Sequence, residues 1–218
     1  YFALIYQLFS LLKYIKMAPK YKLTYFDFSG LGEPIRFLFN YGGIEFIDNR
    51  VPKADWPALK KSTPLQQMPL LEFDGNVLHQ SVAISRYVGR LVGLGGKNDL
   101  EDCEIDAVVD SITDFRLHFI KHRFETNPEA KQALKEKLDK EIIPLIFGQM
   151  DSWAQKNKGY LANGRLTWAD VYFAALTGSL RIDNDLLENY PNLKALQQNV
   201  LSIPRIKAWV EKRPKDSV

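Results

Sequence analysis

The segment 63–81 constrains the fold of this chain more than any other, since it predicts a loop, a hairpin and the start of a helix in succession. Asp74-Gly75, between two short apolar runs, is the dipeptide most typical of a two-residue hairpin turn. In Met68-Pro69, the residue before proline is expected to be extended, with its backbone N–H and C=O groups facing outward. A helix that begins at Gln80-Ser81 would present unpaired N–H groups that suit a carboxylate. The segment therefore predicts a binding site for a small peptide with one extended amide and one terminal acid group.

The first part of the chain predicts a βαβ unit. Residues 21–26 alternate as in a half-buried strand, and residues 44–51 are predicted to form a second strand. Between them, Pro34 near the start and Gly42-Gly43 at the end bound a short helix. Strands that are joined through a helix pair in parallel. Together with the hairpin and helix that follow, this order predicts an α/β domain with a thioredoxin-like fold over residues 17–95.

The second part of the chain predicts an all-α domain over residues 99–218. Residues 89–98 contain four glycines and mark the expected domain boundary. Beyond this stretch the sequence has no strand pattern, and apolar residues recur at helical spacing. Pro144 is expected to kink or interrupt a helix. Thr167, followed three residues later by Asp170, predicts a capped helix start.

Composition argues against several kinds of partner. The net charge is +3 and basic residues alternate with acidic ones, which does not favour nucleic-acid binding. The apolar run in residues 1–16 is shorter than the ~20 residues of a spanning helix, so no membrane span is predicted. We interpret residues 1–16 as upstream translation or a cloning remnant outside the fold, the alternative being an amphipathic extension. Cys103 is the single cysteine, which excludes an intramolecular disulfide and fits a cytoplasmic location.

Tyr25 is the candidate residue for which the sequence predicts the most specific chemical role. Thioredoxin-like domains often have Cys-x-x-Cys at the start of the first helix, whereas residues 29–32 read Ser-Gly-Leu-Gly, so disulfide exchange by that motif is excluded. The phenol of Tyr25 stays protonated at pH 7 and can donate a hydrogen bond to a bound thiolate. A decrease of about 2 units from a thiol pKa of ~8.5 would raise the thiolate fraction at pH 7 from ~3% to ~75%. The alternative is that Tyr25 is an ordinary strand aromatic.

Other candidate residues also have simple structural interpretations. Gln80 and Ser81 can be only a helix cap. Trp56 can be a packed aromatic residue, and Lys60 can be a solvated lysine. The residues alone leave these alternatives open.

No metal site is predicted. His118 and His122 lie four residues apart, as metal ligands on a helix do, but no third ligand is evident. Asp106, Asp110 and Asp114 repeat every four residues. Such a stripe is typical of a solvated helix face, although it also suits the ammonium group of a ligand.

Taken together, six collinear blocks of the chain resemble the sigma class of glutathione S-transferases, and its arthropod members most. The blocks are residues 21–26, 32–36, 55–60, 67–69, 79–87 and 166–170. The resemblance runs from Met17 to Pro214, which is essentially the whole chain apart from the extension. It implies a thioredoxin-like N-terminal domain, an all-α C-terminal domain and a homodimer. It also implies glutathione as a co-substrate, no tightly bound cofactor and no metal.

The resemblance implies a binding residue for each part of glutathione. Trp56 and Lys60 match residues that hold the glycyl end, and the backbone of Met68 matches the clamp on the cysteinyl moiety, before a proline that is cis in the family. Gln80 and Ser81 match the site of the γ-glutamyl carboxylate at the helix start. The full set implied to bind glutathione is Tyr25, Trp56, Lys60, Gln66, Gln67, Met68, Pro69, Gln80 and Ser81, together with Asp114 toward the partner subunit.

The resemblance also implies catalytic and subunit roles. Tyr25 matches the catalytic tyrosine that donates a hydrogen bond to the glutathione sulfur. Asp114 matches an acid that reaches the γ-glutamyl amine in the neighbouring subunit, so each site would need the dimer. The helical domain would bind small hydrophobic electrophiles, and the walls of that pocket are predicted to be Phe115, Leu117, His118 and Ile120.

The leading hypothesis is a glutathione transferase, in which the thiolate attacks electrophiles that include lipid peroxidation products, with a peroxidase side activity. The alternative is a glutathione-dependent prostaglandin D isomerase, and a third hypothesis is a crystallin-like structural protein. The crystallin lineage has an added helical segment that is not found here, and Tyr25 is present. Four positions depart from the pattern of the vertebrate prostaglandin D synthase branch, which argues against isomerisation and metal stimulation: Leu31, Gln67, Thr113 and Lys121.

Overall fold

The computed structural model describes residues 20–180, 182 and 184–216. The interpretation of residues 1–16 as an extension lies outside the described residues. The described part of the chain contains a four-stranded sheet, with helices between some of its strands, followed by a series of further helices.

The sheet has the predicted order of connections. Its spatial order is β2-β1-β3-β4, with β1 parallel to β2 and antiparallel to β3, and β3 is antiparallel to β4. The βαβ unit and the hairpin that were predicted from the sequence are therefore confirmed. The strands are β1 (Tyr21–Phe26), β2 (Phe46–Val51), β3 (Leu70–Phe73) and β4 (Asn76–His79).

Strand β2 begins two residues later than the sequence predicts. Gly43 has φ 65° and ψ 28°, the left-handed conformation that ends many helices. The N–H of Ile44 donates to the carbonyl of Phe39 at 3.0 Å. Because residues 43 and 44 close the preceding helix, the strand starts only at Phe46.

The hairpin turn has the conformation that its sequence favours. Asp74 has φ 47° and Gly75 has φ 78°. Positive φ at both central residues is the mark of a type I′ turn, whose twist matches that of the flanking strands.

The remaining described chain is mostly helical. The helices are α1 (Glu33–Gly42), α2 (Trp56–Lys60), α3 (Ser81–Leu91), α4 (Asp99–Phe124), α5 (Pro128–Lys137), α6 (Ile143–Lys156), α7 (Trp168–Leu180), α8 (Asn184–Glu188), α9 (Pro191–Ser202) and α10 (Pro204–Lys212). Helices α5 and α6 are joined by a π-helical turn, Leu138–Ile142, that directly precedes Pro144 at the start of α6. Because a proline has no N–H to donate, the regular α-helical hydrogen bonding cannot continue through Pro144. The π-helical turn before it confirms the predicted interruption.

Helix α7 is the buried centre of the molecule and packs against α1, α3, α4 and α9. It is apolar on all sides, which is typical of a helix that is enclosed by other elements. Helix α3 approaches it at Gly89, where an added Cβ would lie 2.5 Å from the Cβ of Trp168. Only glycine fits at this crossing, so this contact sets how closely α3 of the first domain packs against the helical domain.

The start of α7 is held by a buried carboxylate. Asp170 Oδ2 accepts hydrogen bonds from the Thr167 N–H at 2.7 Å and the Thr167 hydroxyl at 2.9 Å. Its Oδ1 accepts a third from the N–H of Leu161 at 2.8 Å. The capping interaction predicted for Thr167 and Asp170 is therefore confirmed, and Asp170 also fixes the preceding loop.

We expect Asp170→Ala to lower the free energy of unfolding by about 2–4 kcal/mol, since it leaves two buried N–H groups without partners and removes the helix cap. Urea denaturation measures this change. Asp139→Ala, which removes an exposed carboxylate paired with Lys135, is the control and should change stability by less than about 1 kcal/mol. Equal losses in the two variants would contradict the role of Asp170.

Candidate functional site

A cleft of about 660 Å³ lies between the sheet domain and the helical domain. Eight residues predicted to bind glutathione line one side of it: Trp56, Lys60, Gln66, Gln67, Met68, Pro69, Gln80 and Ser81. The opposite side is formed by Thr113, Arg116 and Leu117 of α4 and by Tyr172 of α7. The structure thus brings together predicted residues from α2, from the loop before β3 and from the start of α3.

The floor of the cleft has an unusual backbone. The Met68–Pro69 peptide bond is cis. Gln80 has φ 71° and ψ 114°, which is uncommon for a residue with a side chain, and such conformations cluster at binding sites. Leu65 and Gln66, at the rim, also have positive φ values of 52° and 51°.

Helix α3 begins at this floor. The carbonyl of Gln80 accepts the first helical hydrogen bond, from the N–H of Ile84 at 3.0 Å, and no side chain caps the helix start. The first N–H groups of a helix have no partners within the helix and carry partial positive charge. Ser81 is buried at 9% exposure and lines the cleft beside these groups. The helix start therefore presents unpaired donors and a hydroxyl group to the cleft, which are groups that suit a carboxylate.

Tyr25 lies at the end of β1 with only 5% of its surface exposed. Its hydroxyl oxygen accepts a hydrogen bond from the N–H of Leu31 at 3.0 Å, which leaves the hydroxyl proton free to be donated. Burial raises the pKa of Tyr25 above its ordinary value, against the Leu31 hydrogen bond and the positive charges of Arg116 and Arg36. The phenol is therefore protonated at neutral pH and is a hydrogen-bond donor.

Two glycines let the loop after β1 approach the tyrosine. A Cβ on Gly30 would lie 2.7 Å from the Tyr25 hydroxyl oxygen, and a Cβ on Gly32 would lie 2.7 Å from Tyr25 Cδ1. Any larger residue would push the loop away. The glycines therefore hold the Leu31 N–H within hydrogen-bond distance of the phenol.

Tyr25 borders a second cavity, of about 440 Å³, which adjoins the cleft. Leu31 and Arg116 line both spaces. A group bound in the cleft near these two residues would therefore face the second cavity. The second cavity is lined by Tyr25, Phe28, Gly30, Leu31, Lys53, Arg116, Ile120, Arg123, Phe124, Leu176, Ser179, Leu180 and Asp216.

Only part of the predicted electrophile wall borders a cavity. Leu117 lines the cleft and Ile120 lines the second cavity, whereas Phe115 and His118 border neither. Phe115 is buried in the helical core, with its ring centroid 4.7 Å from that of Phe147. The reason is helical phase, because consecutive residues of α4 point in different directions.

Asp114 is exposed on α4 and lies outside the lining of both cavities. Its predicted contact with glutathione concerns a neighbouring subunit, so the role stays a prediction.

The structure adds two residues that the sequence did not single out. Arg116 lies where the two cavities meet, and its positive charge acts on both Tyr25 and Tyr172. The Tyr172 hydroxyl is buried and has no hydrogen-bond partner among the described residues, and this burial raises its pKa above the ordinary value. Neither residue carries a local sequence signal, because only the docking of α4 and α7 on the sheet domain brings them to the cleft.

Within the residues that the structure describes, no three or more His, Cys, Asp or Glu side chains are placed to hold a metal ion together. Cys103 is exposed on α4. In the same part of the chain, none of the helices is at once long and apolar enough to cross a membrane.

Two family models match the chain in succession. Residues 21–90 match the glutathione S-transferase N-terminal domain, and residues 113–213 match the glutathione S-transferase C-terminal domain.

Individual proteins are similar over nearly their whole length. The chain is 44% identical to the glutathione S-transferase of Anopheles gambiae over 198 residues, covering 90% of this chain and 98% of that protein. It is 39% identical to the hematopoietic prostaglandin D synthase of Gallus gallus over 205 residues, covering 92% and 100%. The solved structure of prostaglandin synthase D of Nilaparvata lugens has a TM-score of 0.86 and 44% identity, covering 90% of this chain and 99% of that one.

Proposed function

The chain belongs to the glutathione S-transferase family. We propose that Tyr25 stabilises the thiolate of bound glutathione, which then attacks an electrophilic carbon of the second substrate. The observation that carries this proposal is the hydrogen bond from the Leu31 N–H to the Tyr25 oxygen. It orients the phenol while leaving its proton for the sulfur. The raised pKa of Tyr25 keeps that proton in place at neutral pH.

Other residues of the cleft are proposed to bind the remaining parts of glutathione. Trp56 and Lys60 hold the glycyl carboxylate, and the backbone of Met68 pairs with the cysteinyl amide. Gln80 and Ser81 bind the γ-glutamyl carboxylate with the first N–H groups of α3. The contributions of Gln66, Gln67 and Pro69 are to shape the loop that carries Met68.

The proposed assembly is a homodimer of the sigma class. In it, Asp114 of one subunit binds the γ-glutamyl ammonium group in the site of the other. The exposure of Asp114 supports this role, because it leaves the carboxylate open to a second subunit.

The second cavity is the proposed electrophile site. Its walls are mainly apolar and include Ile120, while Leu117 stands at the entrance from the cleft. Phe115 and His118 are removed from the proposed walls. Lipid peroxidation products are the proposed electrophiles, since an apolar cavity of this kind suits acyl chains, and reduction of lipid hydroperoxides is a proposed side activity.

Arg116 extends the mechanism beyond the tyrosine. Its positive charge lies where the two cavities meet, beside Leu31, and a nearby cation favours the charged form of a thiol. The prostaglandin D synthase branch has an arginine at the position of Leu31. Arg116 therefore supplies from the helical domain a charge that the Leu31 position lacks.

A second candidate function is glutathione-dependent prostaglandin D isomerisation. It is favoured by the 44% identity and the TM-score of 0.86 to the prostaglandin synthase D of Nilaparvata lugens. Leu31, Gln67 and Lys121 depart from the vertebrate branch, which makes transferase chemistry the first candidate.

Tyr25→Phe should reduce turnover of glutathione with 1-chloro-2,4-dinitrobenzene by about 10–150-fold, which corresponds to a hydrogen bond of about 1.5–3 kcal/mol to a charged group. Glutathione affinity should change little. The acid limb of the pH–rate profile should move up by about 2 pH units, since the thiol loses its donor. Tyr160→Phe, outside the lining of both cavities, is the control. Unchanged turnover in Tyr25→Phe would exclude the assigned role.

Ser81→Ala should raise the Kd of glutathione about 5–50-fold, because a carboxylate loses a hydroxyl donor, while the rate at saturating glutathione stays within about twofold. Isothermal titration calorimetry measures the affinity. Ser202→Ala, an exposed serine at the end of α9, should bind glutathione normally. Normal affinity in Ser81→Ala would contradict the proposed carboxylate site.

Arg116→Gln should raise the pKa of bound glutathione by about 0.5–1 unit, because the thiolate loses a nearby positive charge. Ultraviolet absorbance of the bound thiolate, measured across a pH series, reports this pKa. Arg116→Lys keeps the charge and should retain the wild-type titration. A titration of Arg116→Gln that coincides with the wild type would remove Arg116 from the mechanism.

A further inference from the structure

The second cavity combines an apolar lining with three cationic side chains, Lys53, Arg116 and Arg123. A cavity for neutral apolar electrophiles needs no such charges. Its apolar residues are Phe28, Leu31, Ile120, Phe124, Leu176 and Leu180.

The two arginines are placed differently with respect to the glutathione cleft. Arg116, Ile120 and Arg123 follow at intervals of four and three residues and therefore share one face of α4. Seven residues of helix separate the two arginines by about 10.5 Å along the axis. Arg116 lies at the glutathione cleft, whereas Arg123 borders only the second cavity and donates from Nη1 to the Leu180 carbonyl at 3.2 Å.

The positive charge that the described residues bring to the second cavity is mostly uncompensated. Among the described residues, Lys53, Arg116 and Arg123 have no carboxylate partner within ion-pair distance. The carboxylate in the described lining is Asp216, which accepts hydrogen bonds from the N–H and hydroxyl of Ser29, both at 2.8 Å. Within the described lining, three positive charges against one engaged negative charge give this apolar cavity a net positive potential.

We propose that this cavity selects apolar electrophiles that carry a carboxylate at the end remote from the reactive carbon. Arg123 binds that carboxylate, because its planar fork matches two carboxylate oxygens, and Lys53 adds positive charge to the same lining. Arg116 remains available to stabilise the glutathione thiolate. The inference rests on the proposed transferase function and names its substrate class.

The chemistry balances without a further reactant for an α,β-unsaturated carbonyl compound. The thiolate sulfur forms a bond to the β-carbon, and the electron pair of the double bond moves to give an enolate. A proton from solvent then adds to the α-carbon. No group leaves, and the carboxylate takes no part in the bond changes.

The test compares a charged substrate with its neutral form. The probes are 12-oxo-10-dodecenoic acid and its methyl ester, which share the reactive enal and the alkyl chain. The wild type should have a kcat/KM for the acid about fivefold above that for the ester, as expected for a partly exposed charge pair. This preference should decrease as salt is raised.

Variants assign the preference to a residue. Arg123→Gln should lower kcat/KM for the acid about fivefold and leave the ester unchanged, and Arg123→Lys should keep part of the preference. Lys121→Gln is the matched control, because it removes one positive charge from the same helix two residues away, outside the cavity lining. It should leave both rates unchanged.

The outcomes separate this inference from the transferase function. Equal rates for acid and ester in an enzyme that conjugates both would overturn the inference alone. A preference that survives in Arg123→Gln would overturn the assignment to Arg123. Failure to conjugate the ester, the acid and 1-chloro-2,4-dinitrobenzene would overturn the transferase function itself.

Discussion

A buried ion pair, Glu33 with Arg36, is the interaction on which the arrangement of the site depends. Both side chains have 0% exposure, and Arg36 Nη1 lies 3.2 Å from Glu33 Oε2. Arg36 Nε also donates to Asp48 of β2 at 2.9 Å, and Glu33 accepts from Trp209 Nε1 at 2.8 Å and from Arg213. Buried charges are tolerated only when their partners are in place, and breaking such a pair typically costs about 3–5 kcal/mol. The pair therefore ties α1, β2 and the C-terminal helix α10 to one point.

That point lies next to the ring of Tyr25, the residue proposed to activate glutathione. The Arg36 guanidinium carbon is 5.9 Å from the centre of the Tyr25 ring, and Arg36 Nη1 donates to the carbonyls of Phe28 and Ser29 in the loop after β1. The loop is thereby fixed at Phe28 and Ser29, just before Leu31, whose N–H donates to the phenol. Asp216, beyond α10, binds the same loop at Ser29 and closes one edge of the second cavity. The C-terminal end of the described chain thus helps to shape a site whose tyrosine is near the other end.

The parts of the fold that were predicted correctly are those set by residues close together in sequence. Asp74 and Gly75 turn the hairpin because their own φ values allow it, and Thr167 with Asp170 caps α7 within a single turn. The start of β2 was predicted two residues early, because the left-handed Gly43 extends the end of α1. Phe115 was predicted to line the pocket, but it lies in the helical core. The rotation of α4 about its axis relative to its neighbours decides which residues face the pocket, and the sequence of one helix does not show that rotation.

The sequence by itself determined the βαβ and hairpin order and the helix starts, because backbone preferences and short spacings are local properties. Its resemblance to a known family indicated which residues between 56 and 81 meet in the cleft. Only the tertiary structure decided which residues of the helical domain lie across the cleft from those of the sheet domain. Arg116 and Tyr172 reach the cleft, and Arg123 reaches the second cavity, through the docking of α4 and α7 on the sheet domain. Contacts between residues far apart in sequence fix the packing of the helical domain on the sheet domain, such as Gly89 against Trp168 and the hydrogen bond from Trp209 to Glu33. Sequence spacing does not encode these contacts, because they depend on how closely the folded elements pack.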